Sequence, residues 1–210
     1  THSGATGVPV ALAAHGGMDL EAIAEAVTDR TRCVLICTPN NPTGPAVSHR
    51  DFEHFMDQLP EGLLVIADEA YHEFVTDPKA LNAARVLDRY PNLVVARTFS
   101  KAYGLAGMRI GYMLGNPQIL AAFNTVGVPF AVSTPSQQAA LAVMRAGDAV
   151  RARVNEVTAR RDEVRRALWG QGWPVPDSQA NFVWLPCREQ VEGVNEILRS
   201  GGIIARAFSG

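Results

Sequence analysis

Three short apolar runs constrain this chain more than any other feature: "CVLICT" (33–38), "LLVIAD" (63–68) and "NLVVART" (92–98). Each is rich in β-branched residues, too short for a helix, and continuous rather than alternating. That is the pattern of a strand buried on both faces. The segments between them have a different period. "MDLEAIAEAVTD" (18–29) repeats its apolar residues at helical spacing, with Asp19 placed as an N-cap. "SHRDFEHFMDQL" (48–59) opens on a Ser48…Asp51 capping pattern. Strands separated by helical stretches predict right-handed βαβ units and a mostly parallel sheet with helices on both faces, a three-layer α/β/α sandwich.

"RIGYML" (109–114) is a candidate for a further strand, and from Pro135 the pattern turns helical, with a long candidate over 136–169 interrupted near Gly147. Beyond the loop "WPVPDS" (173–178), a strand is expected in "ANFVWLP" (180–186). A helix should follow over 189–200, and a last strand in "GGIIARAF" (201–208). This tail reads as the start of a smaller α/β domain. The expected division is a large domain over 1–140, then a linking helix and small domain over 141–210.

Charge and cysteine content narrow the partners. The net charge is −2 and the pI about 6.2, with both signs spread along the chain. That argues against nucleic acid or an anionic membrane as the main partner. The basic stretch "RARVNEVTARRDEVRRAL" (151–168) alternates with acids at helical spacing, as a solvated helix face does. Cys33, Cys37 and Cys187 show neither a disulfide framework nor a metal-ligand spacing, so a reducing cytoplasm is expected. No run is long enough to span a membrane.

The polar residues that follow the three apolar runs carry the chemistry. Ligands of open α/β sheets sit at the carboxyl ends of parallel strands. Asn41 follows the first run, Asp68 and Tyr71 the second, and Thr98, Ser100 and Lys101 the third, with Arg109 eight residues further on. Taken singly, an Asn-Pro is a turn, a strand-end Asp a helix cap, and a Lys a surface charge. Together at one sheet edge they form a coherent set. The choice of lysine is itself informative, because the chain has only two lysines against seventeen arginines. A lysine amine condenses with a carbonyl, whereas a guanidinium does not. An amine, an anion, hydrogen-bond donors, hydroxyls and an Arg suit the four handles of pyridoxal 5'-phosphate (PLP): aldehyde, ring nitrogen, phenolate oxygen and phosphate.

"CTPNNPTGP", "VIADEAYHEF" and "RTFSKAYGLAGMRIGY" resemble the signature blocks of the class I/II aminotransferases, the fold-type I PLP enzymes, with the histidinol-phosphate and aromatic amino acid aminotransferase group the most similar. The resemblance implies that Lys101 is the imine-forming lysine and proton shuttle, and that Asp68 partners the pyridinium. It places Asn41 and Tyr71 beside the phenolate oxygen, and Thr98, Ser100 and Arg109 on the phosphate. It matches Arg206 to a position that contacts the distal group of the substrate, although an exposed edge-strand Arg is an equal reading.

The resemblance further implies transamination between an aromatic amino acid or histidinol phosphate and a 2-oxo acid such as 2-oxoglutarate, by a cytoplasmic homodimer. A Gly-rich phosphate-binding helix start and a ring-stacking aromatic, expected ahead of Thr1, are not in the chain, which is therefore expected to be an internal part of a longer enzyme. Other readings stay open: a C–S lyase with the same blocks, a ligand-sensing domain of a transcription regulator, and an α/β binding module whose strand-end residues are only caps and turns.

Overall fold

The computed structural model describes residues 4–208. Its centre is a four-stranded sheet in the order β1 (Cys33–Cys37), β2 (Leu64–Asp68), β3 (Leu93–Thr98), β4 (Gly111–Gly115). The first three strands are parallel, so all three apolar runs form strands as expected, and their carboxyl ends lie along one edge. The register aligns Cys37 with Asp68 and Asp68 with Ala96.

β4 runs antiparallel to β3, with Thr98 opposite Gly111. The connection between them, residues 99–110, holds only the 3-10 turn Ala106–Met108, which supplies no crossover, and a parallel partner needs one. Gly111 is required for this close return. A Cβ there would lie 2.7 Å from the Arg97 carbonyl oxygen.

Four of the six α-helices among the described residues begin where a side chain accepts from a free N–H. Asp19 caps α1 (Leu20–Glu25) by accepting from the Ala22 N–H at 3.0 Å. Ser48 caps α2 (His49–Gln58) by accepting from the Asp51 N–H at 3.0 Å. α3 (Pro117–Val126) was not anticipated, although Asn116 followed by Pro117 is a helix-start signal. The long helical stretch does break near Gly147, into α4 (Thr134–Arg145) and α5 (Gly147–Gly170). α6 (Val191–Ser200) completes the set.

One face of the sheet makes the main core. Val34, Ile36, Val65, Ala67, Leu93 and Val95 alternate toward it and meet Phe52, Phe55 and Met56 of α2. Burying a phenylalanine such as Phe52 contributes on the order of 1.5–3 kcal/mol. The opposite face is open along β1, where Leu35 is 61% exposed. A second apolar cluster joins Tyr71 and Phe74 to Ala102, Val154 of α5 and Ala180. It ties the lysine-bearing loop to the long helix.

Two expected strands are corrected. Residues 180–186 and 201–208 are extended or irregular and pair with nothing among the described residues. Alternating apolar residues allow a strand, but only a hydrogen-bonded neighbour makes one. No helix among the described residues is long and apolar enough to cross a membrane.

Candidate functional site

The turn after β1 holds Asn41 in a tight frame. Thr38 continues the ladder by donating its N–H to the Asp68 carbonyl at 3.0 Å, and its hydroxyl accepts from the Val47 N–H at 2.9 Å. Asn40 exchanges backbone bonds with Gly44 and Pro45, and its side chain donates to the Thr43 hydroxyl at 2.7 Å. The Thr38–Pro39 and Asn41–Pro42 peptides are both cis. Gly44 adopts φ +100°, and a Cβ there would lie 2.5 Å from the Ser178 hydroxyl. The missing side chain lets the 178–182 segment approach the turn, where the Gln179 N–H donates to the Gly44 carbonyl at 2.9 Å.

Three predicted site residues meet directly. The Asn41 side-chain amide donates to the Tyr71 hydroxyl at 2.6 Å. The Lys101 ammonium lies 5.3 Å from the centroid of the Tyr71 ring, within cation–π range. Phe182 packs edge-on against that ring, with centroids 5.2 Å apart, so the buried Tyr71 is fixed in orientation.

Asp68 ends β2, and its Oδ1 accepts from the Ala70 N–H at 3.0 Å. Thr98 ends β3, and its hydroxyl accepts from the Ser100 N–H at 3.0 Å, which bends the chain into the lysine loop. Asp68 enters no ion pair among the described residues, Lys101 likewise, and the Ser100 hydroxyl has no partner among them. Burial raises the Cys37 thiol pKa most; a backbone hydrogen bond at Asn41 opposes this and the Asp68 charge adds to it.

Arg109 is not drawn into this group. It is exposed, and its Nη1 donates to the Ala106 carbonyl at 2.8 Å. Its backbone is left-handed (φ 49°, ψ 47°), a conformation that costs a non-glycine residue about 1–2 kcal/mol. Arg206 stacks over the Phe208 ring at 4.9 Å. Both line a cavity of about 630 Å³ whose walls include Asn41, Phe182 and Trp184, so Arg206 and Asn41 share one space.

The sequence reading missed the aromatic wall of Phe182 and Trp184, and it missed the buried ion pair of Glu69 and Arg97, 2.7 Å apart. Both acidic and basic partners stand directly beside predicted site residues in the motifs. That adjacency was the available signal.

Solved structures share this fold. A histidinol-phosphate aminotransferase from Sinorhizobium meliloti, in complex with pyridoxal-5'-phosphate, aligns with a TM-score of 0.85 at 33% identity. The alignment covers 95% of this chain and 55% of that one. A Thermus thermophilus aspartate aminotransferase mutant, at 24% identity and a TM-score of 0.76, shows the fold alone. The class is that of the fold-type I PLP-dependent α/β proteins. Within it, the chain belongs to the class I and II aminotransferase family, whose profile matches residues 1–209.

The aromatic amino acid aminotransferase of Streptomyces avermitilis is 44% identical over 208 residues, which are 99% of this chain and 58% of that protein. The enzyme of the same name from Thermobifida fusca is 46% identical over 192 residues, 91% of this chain and 54% of the relative. The chain thus spans a little over half the length of the curated relatives it matches.

Proposed function

We propose that this chain carries the cofactor-binding part of a PLP-dependent aminotransferase. The single observation that best supports the reading is the Lys101–Tyr71–Asn41 contact at the carboxyl edge of the sheet, beside Asp68 and the Thr98–Ser100 turn. The donor set suits the cofactor. Among the described residues, an amine without an ion-pair partner, a carboxylate without a cation, and a hydroxyl at Ser100 without a hydrogen bond stand at one edge. A purely structural cluster would have used them on one another.

Bound there, PLP supplies a reactive carbonyl and an electron sink for the charge left when the substrate Cα proton departs. The residues of the chain do the rest. Lys101 Nζ would hold the carbonyl until substrate arrives, then would accept the Cα proton and deliver it to the former carbonyl carbon. The Asp68 carboxylate would hold a proton on the ring nitrogen. Asn41 and Tyr71 would donate to the phenolate oxygen. Thr98 and Ser100 would offer hydroxyls to the phosphate, and Arg109 would join them by turning in from the Ala106 carbonyl that holds it in this structure.

The amino donor in this reading is an aromatic amino acid or histidinol phosphate, and the acceptor a 2-oxo acid such as 2-oxoglutarate. The cavity beside Asn41 supports a flat apolar side chain, since Phe182, Trp184, Leu185 and Phe208 wall it, with Arg188 and Arg206 as its cations. In this reading Arg206 meets an anionic distal group of the substrate. We further propose a homodimer, a boundary near residue 140 between the large domain and a small one, and a cytoplasmic location, the last in keeping with three free cysteines.

The test uses PLP, borohydride reduction and peptide mapping. A pyridoxyl adduct on Lys101 and not on Lys79 is expected, and an adduct shared equally between them, or absent, would reject the assignment. Amino transfer from phenylalanine, tyrosine or histidinol phosphate to 2-oxoglutarate then identifies the donor.

A further inference from the structure

Behind the candidate site lies a second constellation that touches none of its functional groups. Side chains of a strand alternate in direction, so the residues next to Asp68 and Thr98 face the other way. Those residues are Glu69 and Arg97. The register that pairs Asp68 with Ala96 sets them side by side across the parallel strand ends.

Glu69 is 1% exposed, and both of its carboxylate oxygens accept hydrogen bonds, with His72 Nδ1 4.0 Å from Oε2. Its Oε2 accepts from Arg97 Nε at 2.9 Å and from Arg97 Nη2 at 2.7 Å. Its Oε1 accepts from the Ala83 N–H at 2.7 Å. Arg97 Nη2 donates onward to Asn82 Oδ1 at 2.9 Å, and Arg97 stands opposite Tyr112 in the β3–β4 register. Tyr112 packs against Phe99, with ring centroids 5.6 Å apart. The ion pair therefore ties the end of β2 to β3, next to β4.

Its place in the sheet gives it a second role. The last backbone bond between β2 and β3 runs from the Glu69 N–H to the Ala96 carbonyl at 2.9 Å. Beyond that rung the two segments part. Tyr71 stands two residues past Glu69, and Lys101 four residues past Arg97. The Lys101–Tyr71 contact thus bridges the same two segments just beyond the ion pair.

An apolar pair of similar size would spare the desolvation of both charges, and would forgo only the bonds to the Ala83 N–H and Asn82 Oδ1. What a carboxylate gripped by two prongs of one guanidinium adds is direction as well as distance.

We infer that Glu69 and Arg97 are positioning residues: their two-pronged ion pair sets how Asp68 and Tyr71 face the Thr98–Lys101 turn. The functional meaning of that geometry rests on the proposed aminotransferase reading, but the geometry itself can be read without cofactor.

The experiment exploits the two lysines. The chain is labelled with a limiting amine-acylating reagent, and the ratio of Lys101 to Lys79 modification is read by peptide mass spectrometry, with Lys79 as internal reference. The variants are Arg97→Lys, which keeps the charge and loses the fork, Glu69→Gln, and the apolar double variant Glu69→Leu with Arg97→Met. Denaturant unfolding is recorded for each.

The double variant is expected to recover much of the stability that Glu69→Gln loses, while its labelling ratio stays shifted by at least about threefold, as the ratio of Arg97→Lys does. A double variant that unfolds like the wild type and also labels like it would overturn the inference, leaving a merely structural pair. If the double variant does not fold, Arg97→Lys decides: a folded Arg97→Lys with an unchanged ratio overturns the inference, and a shifted ratio supports it. Absence of a PLP adduct on wild-type Lys101 would reject the aminotransferase reading alone, since the acylation ratio needs no cofactor.

Discussion

Asn41 and Tyr71, thirty residues apart, come from turns after different strands and meet through a 2.6 Å hydrogen bond from amide to hydroxyl. The hydroxyl belongs to a buried ring that also underlies the Lys101 ammonium. Tyr71→Phe removes the bond and keeps the ring. It should cost about 1 kcal/mol of stability in urea unfolding. The pyridoxyl adduct should still form on Lys101, with PLP bound several-fold more weakly by titration of its visible absorption.

Lys101 itself is exposed and makes no ion pair among the described residues. Lys101→Ala should therefore leave the unfolding free energy within about 0.5 kcal/mol of wild type. It should also abolish the borohydride-trapped adduct. Loss of the adduct together with loss of fold would show that the side chain has a structural role that the geometry does not suggest.

Arg161 of α5 is only 4% exposed and reaches across to the segments that carry Phe74 and Ala180. Its Nη1 donates to the Phe74 and Ala180 carbonyls at 3.0 and 3.1 Å, and its Nη2 to the Thr76 hydroxyl at 3.1 Å. Arg161→Met leaves the Phe74 and Ala180 carbonyls, both of buried residues, without this donor. The expected loss is roughly 3 kcal/mol by denaturant unfolding, well above that of exposed arginines of the same helix such as Arg153.

Tyr90 provides a pH test away from the site. Burial, and then its hydrogen bond to Asp57 at 2.8 Å, push its phenol up to about 12. The folded state thus favours the protonated phenol more than the unfolded chain does. The stability this contributes is complete below the ordinary phenol value near 10 and is lost as pH rises toward 12. Wild type should lose more stability between pH 9 and 11.5 than Tyr90→Phe. Equal losses would show that the phenol does not titrate differently in the two states.

How much could be read beforehand follows from the range of each interaction. β1, β2 and β3 are legible because a run such as "LLVIAD" is too short and too β-branched to bury itself any other way. The caps at Asp19 and Ser48, and the break at Gly147, are legible because they act within one turn of chain. Residues 180–186 and 201–208 misled for the opposite reason. Their alternation matches a strand, but a strand is a relation between two segments, and among the described residues neither pairs its backbone into the sheet, although Trp184 and Phe208 touch ring to ring.

The candidate site divides along the same line. The sequence by itself determined which groups stand at strand ends, since Asp68 and Thr98 end their runs and Lys101 follows the third. Only the tertiary structure decided which of them touch. It brought Asn41 to Tyr71 and Tyr71 under Lys101, left Arg109 on the Ala106 carbonyl, and set Glu69 against Arg97 behind them. The physical reason is that alternation along a strand is local, and can be read from the order of residues. Which residue lies opposite another depends on the register between strands, and that is chosen by the packing of the whole sheet.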